Sequence, residues 1–365
     1  MNRQKRNTII IIAIVVLLGI LTLVVVRQRG SNHSLKQNIH IEAAARPGWV
    51  SRIYMADKEN HQVLLSYEND SLWLVDGKYP ASGKMVEMLL ETLSDMRIRS
   101  RVNMAAAPNV TKQLAAKSVK VEVYYRHYRI NWFKGRLRLF PHEKRDVIYV
   151  GHDTQDMMAT YMYKEGEEVP SVVYMPGFRG CLSPRFVVDP YAWRSHSIVD
   201  LPVQQIASVE LFIPSSPDES FVVEREGEGF VLRVGAPSAR RTVEGFDTVR
   251  VAQLLSSFVR LNFDEYARAV PQVELDTTFA GDPRTVLRVT STDGVTHELK
   301  TYIKYTNPDD LLAMPDTTMY QVFDLDRLYA IVDSKDTVLI QYYVFDNILQ
   351  PASFFMGDMH TFIAR

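Results

Sequence analysis

The stretch of this chain richest in chemistry runs from Arg126 to Arg145. It holds Arg126, Arg129, Lys134, Arg136, Arg138, Lys144 and Arg145 against one acid, Glu143, with Tyr124, Tyr125, Tyr128, Trp132 and Phe133 interleaved. Guanidinium and ammonium groups beside aromatic rings hold anions by charge and flat ligands by stacking. Arg126, Arg129, Trp132, Lys134, Arg136 and Arg138 are therefore the candidate contacts for an anion or a partner protein. Strand alternation offers a second reading, in which Arg136 and Arg138 point outward on a solvated face and Leu137 and Leu139 point inward.

Two other constellations could be drawn. His152, Asp153 and Asp156 share the segment 151–156 and offer metal-ligand atoms, but no second histidine accompanies them at ligand spacing, and Asp and Thr favour turns by bonding their own backbone. Cys181 or Ser183 with Asp189 and His196 has the residue types of a nucleophile set, joined only by nearness in sequence. There is no glycine-rich phosphate loop, no GxSxG elbow, no HExxH and no EF-hand loop. The residues thus call for no catalytic group, no metal and no cofactor.

The elements that must position these residues follow from hydrophobic pattern. Segment 8–26 is free of charge and rich in Ile, Val and Leu. At about 1.5 Å per residue it reaches roughly 28 Å, close to a bilayer's hydrocarbon thickness. It reads as an uncleaved signal anchor, with 1–7 as a cytoplasmic tail carrying Arg3, Lys5 and Arg6 and the body outside, in the periplasm of a bacterial envelope. Segment 27–48 is polar and reads as a stalk.

With 42 basic and 43 acidic residues, the formal charge of -1 gives no general pull toward nucleic acid. The single cysteine excludes an internal disulfide.

After the stalk, 49–189 reads as a first domain, 190–205 as a join and 206–365 as a second domain. In the first, strands at 51–56, 61–67 and 71–75 precede a helix at 83–97 with Val86, Leu89, Leu90, Leu93 and Met96 on one stripe. A shorter helix at 109–116 and several strands follow. The plan returns after 205. Val63, Leu65, Leu72 and Leu74 fall onto Phe221, Val223, Phe230 and Leu232 at an offset of 158, and the helix stripe falls onto Val251, Leu254, Leu255, Phe258 and Leu261 at 165. Two constant offsets predict a tandem duplication. The fold class expected is α+β: a single N-terminal transmembrane helix, then two similar domains, each an antiparallel sheet with a helix on one face.

Several of these features resemble one bacterial family. Ile53-Tyr54-Met55, the run 72–79 (LWLVDGKY), the Leu-rich helix, the turn 151–156, Trp193-Arg194 and the run 206–211 (IASVEL) are similar to the family known as domain of unknown function 4340. That resemblance implies a membrane-anchored envelope protein, an accessory to a membrane complex of the transporter kind, and carries no active-site residues. The function expected is a non-catalytic scaffold binding a protein partner. The alternative is a periplasmic module that binds or hydrolyses cell wall, glycan or lipid.

Overall fold

The computed structural model describes residues 14–22, 39–69, 72–132, 137–305 and 323–356, with the backbone alone for 129–132 and 137–139. The chain divides into two compact units, Met1–Ser195 and His196–Arg365.

The expected fold class is corrected on two counts. First, among the described residues no helix is long and apolar enough to cross a membrane. Within 8–26 the described helix covers 14–22, about 13 Å at 1.5 Å per residue, and the rest of that segment lies outside the described residues. The assignments built on a spanning helix, namely membrane protein, signal anchor and inner-membrane location with a periplasmic body, are withdrawn with it. Second, the architecture is dominated by two nine-stranded antiparallel sheets rather than by small sheets with one covering helix.

In the first unit the strands are β1 (Val50–Ala56), β2 (Gln62–Asn69), β3 (Leu72–Val75), β4 (Tyr79–Pro80), β5 (Arg97–Arg101), β6 (Val119–Trp132), β7 (Leu137–Asp153), β8 (Thr160–Lys164) and β9 (Ser171–Tyr174). Their order across the sheet is β4-β3-β2-β1-β6-β7-β8-β9-β5. Alternation decides the core face. Ile53 and Met55 of β1 and Val63 and Leu65 of β2 are fully buried, whereas Arg52 and Gln62 face out.

Helix α1 (Gly83–Asp95) lays Val86, Leu89 and Leu93 on that face. Each such side chain contributes about 1.5–3 kcal/mol by leaving water. Trp193 closes this core, its indole N–H donating to the Val187 carbonyl at 2.8 Å. Residues 39–48, expected in the stalk, belong to this unit. Ile39, Ile41 and Ala43 are buried, and the Ile41 N–H donates to the Leu93 carbonyl at 2.7 Å.

The opposite face is covered near β7 and β8 by helix α2 (Ala107–Ala116), whose Val110 and Leu114 pack with Tyr161 and Tyr163. Gly151 permits the close approach. A Cβ there would lie 2.4 Å from Leu114 Cδ2 and 3.0 Å from the Tyr161 carbonyl.

The second unit has β10 (Ser197–Val199), β11 (Ile206–Phe212), β12 (Phe221–Glu226), β13 (Gly229–Val234), β14 (Arg241–Thr242), β15 (Leu261–Asn262), β16 (Glu265–Tyr266), β17 (Thr285–Ser291), β18 (Thr296–Tyr305), β19 (Phe323–Val332) and β20 (Asp336–Gln341). Its large sheet runs β14-β13-β12-β11-β17-β18-β19-β20-β16, the same order as in the first unit with each strand replaced by its counterpart. Irregularities coincide too. The ladder of β1 with β6 shifts between Val50 and Arg52, and that of β11 with β17 shifts between Ile206 and Ser208. Helix α3 (Thr248–Ser256), capped by the Asp247 carboxylate, buries Val251, Leu254 and Leu255 as α1 does its stripe. Helix α4 (Gln272–Phe279) covers the other face where α2 does in the first unit.

One element of the expected correspondence changes. Tyr67 pairs with Trp73 and Leu65 with Val75, while Arg225 pairs with Phe230 and Val223 with Leu232. Trp73 and Val75, not Leu72 and Leu74, therefore match Phe230 and Leu232. A shift in the β2–β3 ladder between Tyr67 and Asn69 adds one residue to the first hairpin, and one residue exchanges the faces of a strand.

Candidate functional site: a basic hairpin arm

The basic stretch lies where the two sheets differ. Between the paired positions Tyr124 and Arg145 of the β6–β7 hairpin stand residues 125–144; between their counterparts Thr290 and Thr296 of the β17–β18 hairpin stand only 291–295. The first unit thus carries an arm that the second lacks. Its β6–β7 ladder continues to Trp132 opposite Leu137. Among the described residues β1 pairs with β6 only as far as Tyr125, and β8 with β7 only from Ile148. Over 126–132 the arm extends roughly 23 Å as two strands, at about 3.3 Å per residue. A two-stranded ribbon is marginal in water by itself, so contact with another surface would stabilise it.

At the arm's base Arg126 is exposed, and its backbone N–H donates to the Trp49 carbonyl at 2.9 Å. Among the described residues no carboxylate pairs with its guanidinium. It borders an open cleft of about 460 Å³ with Trp49, Tyr67, His142 and Glu143. The Trp49 and Tyr128 rings lie 5.8 Å apart, and Arg46 stands 4.3 Å above the Trp49 ring. His127 and His142 face each other across the ladder at 5.1 Å. Burial, then His142 and Lys144, hold the His127 imidazole below its usual range. Phe140, just before Pro141 in β7, has a φ of 58° and is largely exposed.

Other charges near the base are neutralised. Glu143 takes Arg52 at 2.8 Å, Lys144 meets Asp146 at 3.1 Å, and Arg145 lies between Glu122 and Glu165 at 3.9 and 3.6 Å. Burial alone would raise the Glu122 carboxyl, but the bonds from Lys120 and the Tyr124 hydroxyl outweigh it and hold it below the usual range. Asp146 behaves alike, burial opposing and Lys164 and Lys144 prevailing. Lys144 and Arg145 are thus part of a structural ion lattice, which leaves Arg126 as the cation at the arm's base that pairs with no carboxylate among the described residues. Arg129, Trp132 and Arg138 lie on β6 and β7, their side chains outside the described residues; Lys134 and Arg136 lie outside the described residues altogether.

The structure does not bring the other sequence candidates together as reactive sites. His152 stacks on Tyr161 at 4.7 Å, and strand alternation sends Asp153 to the opposite face. There Asp153 accepts the Thr160 hydroxyl on one oxygen and the Ser183 hydroxyl on the other, both at 2.6 Å. Asp156 closes a turn by accepting from the Met158 N–H and from Thr154, and it meets Arg99 at 3.2 Å. Burial and the Asp153 carboxylate push the Cys181 thiol up, opposite to what a nucleophile needs. Asp189 caps the short helix Pro190–Trp193, and His196, in the second unit, stacks on Phe263 at 4.6 Å.

Sequence spacing missed Asp57, Glu59 and His61, which cluster in the β1–β2 turn. Asp57 is already committed: one oxygen accepts the Glu59 and His61 N–H groups, and the other meets His61 Nδ1 at 2.8 Å.

Comparison with family models, with curated proteins and with solved structures finds no match. No family model supports the resemblance to the domain of unknown function 4340 family, and it is not carried further.

Proposed function

We propose that this chain is a scaffold that binds a protein partner through the basic arm of its first unit, the two units being products of a tandem duplication. The observation that carries the reading is the arm itself. It is added at a position where the matching hairpin of the second unit has a short turn, it has no lateral strands among the described residues, and its sequence concentrates Arg126, Arg129, Lys134, Arg136 and Arg138 with Trp132. The partner surface that fits is acidic, with apolar ground for the aromatic residues. Charge-dominated recognition of this kind weakens with salt, because screening shortens the Debye length from about 10 Å at 0.1 M to about 3 Å at 1 M.

The test is affinity purification of the full chain at low salt, followed by a salt gradient. A partner released by moderate salt, and absent when Arg136→Glu and Arg138→Glu are introduced, is the expected result. A partner retained equally by that variant excludes the arm as its binding surface.

A further inference from the structure

A second surface of opposite character lies on the second unit. Between α4, the end of β18 and the loop at Pro214 opens a cleft of about 1020 Å³, lined by apolar groups that include Val273, Ile303 and Tyr305. A neighbouring opening of about 450 Å³ shares Arg284 and Ile303 with it and adds Phe323, Leu325 and Tyr342. The apolar side chains are bare: Val273 is 77% exposed, Leu325 63% and Tyr305 54%. Tyr305 and Phe323 face each other at 5.4 Å and join the two openings into one strip. A continuous apolar strip with a polar rim marks a binding surface.

The rim is acidic. Glu274 and Asp282 border the larger opening and Asp324 and Asp346 the smaller, with Arg284, 5.9 Å from the Tyr342 ring, as the base common to both. Asp324 is neutralised by Lys304 at 2.7 Å. Glu274 accepts the buried Tyr329 hydroxyl at 2.7 Å; burial and that carboxylate push the Tyr329 phenol up, so the phenol remains a donor. Among the described residues three carboxylates, Glu274, Asp282 and Asp346, thus stand on this rim with one guanidinium, Arg284.

We infer that this strip is a docking site for a basic amphipathic segment of a partner protein, its apolar side chains lying on Ile303, Tyr305, Phe323 and Leu325 and its lysines or arginines meeting Asp282 and Asp346. Charge complementarity selects the occupant. An acidic segment would set like charges against the rim, and an uncharged one would leave the rim carboxylates without partners.

The probe is a dye-labelled peptide of alternating leucine and lysine, with a leucine–glutamate peptide as control, titrated by fluorescence anisotropy against the full chain. The leucine–lysine peptide is expected to bind saturably and at least tenfold tighter than the control. Asp282→Lys with Asp346→Lys should weaken it roughly tenfold, about 1.4 kcal/mol, and Tyr305→Ser with Phe323→Ser should do so independently. Arg136→Glu with Arg138→Glu should leave it unchanged. All four altered cleft side chains sit at the surface, and an unchanged thermal midpoint verifies the fold of each variant. Equal binding of the two peptides, or leucine–lysine binding indifferent to the cleft variants, overturns the inference. Because the probe does not depend on the arm, that failure leaves the arm's own test untouched.

Discussion

Gly151 and Tyr302 occupy the same place in the two sheets. Val150 pairs with Val119 and Thr301 with Thr285, and each residue follows its strand's partner by one position. In the first unit the glycine lets Leu114 of α2 rest directly on the sheet. In the second, the Tyr302 ring meets Phe279 of α4 at 4.8 Å and borders the open cleft. One difference in side-chain volume thus accompanies a closed helix–sheet contact in one unit and an open surface in the other.

Gly151→Ala should therefore destabilise the first unit by about 1–3 kcal/mol, the usual cost of overpacking. Thermal unfolding should show the loss, and hydrogen exchange should be faster over Ala107–Ala116. Unchanged protection in that helix would show that α2 absorbs the methyl group freely.

Asp146 gives a pH dependence with a definite sign. Its folded pKa is lowered, so its contribution is complete above the unfolded carboxylate value of about 3.9 and is lost as pH falls through the folded value. Asp146→Asn should lower stability at neutral pH and flatten the decline below about pH 4, measured by urea unfolding at several pH values. Parallel curves for the two proteins would remove Asp146 from the account.

Asp153→Asn tests the polar hub beneath Cys181. Removing the carboxylate charge removes one of the causes that raise the thiol, so alkylation of Cys181 by iodoacetamide at pH 8 should accelerate. Ser183→Ala, which keeps the charge and removes a hydroxyl that lowers the thiol, should slow it. The reverse order would show that access rather than charge limits the thiol.

Sequence pattern shows the elements that bury one dense face. Helices α1 and α3 are legible because leucine and valine recur at helical spacing, and the β2–β3 and β12–β13 hairpins because apolar residues alternate. The register of β3 is not, because both of its faces are apolar: Leu72 is 44% exposed and Trp73 8%. Strand β5 escapes because Arg97, Arg99 and Arg101 dominate an edge, and α4 because Leu275 is its only buried residue. Strand β7 is legible only in pieces, since its course past Pro141 is polar. The arm's residues are visible from charge; that they form an addition to one of two matching hairpins emerges only from the strand pairing.

The most direct measurement replaces residues 126–144 by the four residues 292–295 of the matching turn and compares partner recovery with that of the unaltered chain, by affinity purification and quantitative mass spectrometry. At the arm's base the replacement removes the exposed Arg52–Glu143 pair, worth up to about 1 kcal/mol, and one of the two lysines on Asp146, which keeps Lys164 at 3.0 Å. The account predicts a folded protein that no longer recovers the stoichiometric partner captured by the full chain. A folded variant that recovers the same partner in the same amount would contradict it.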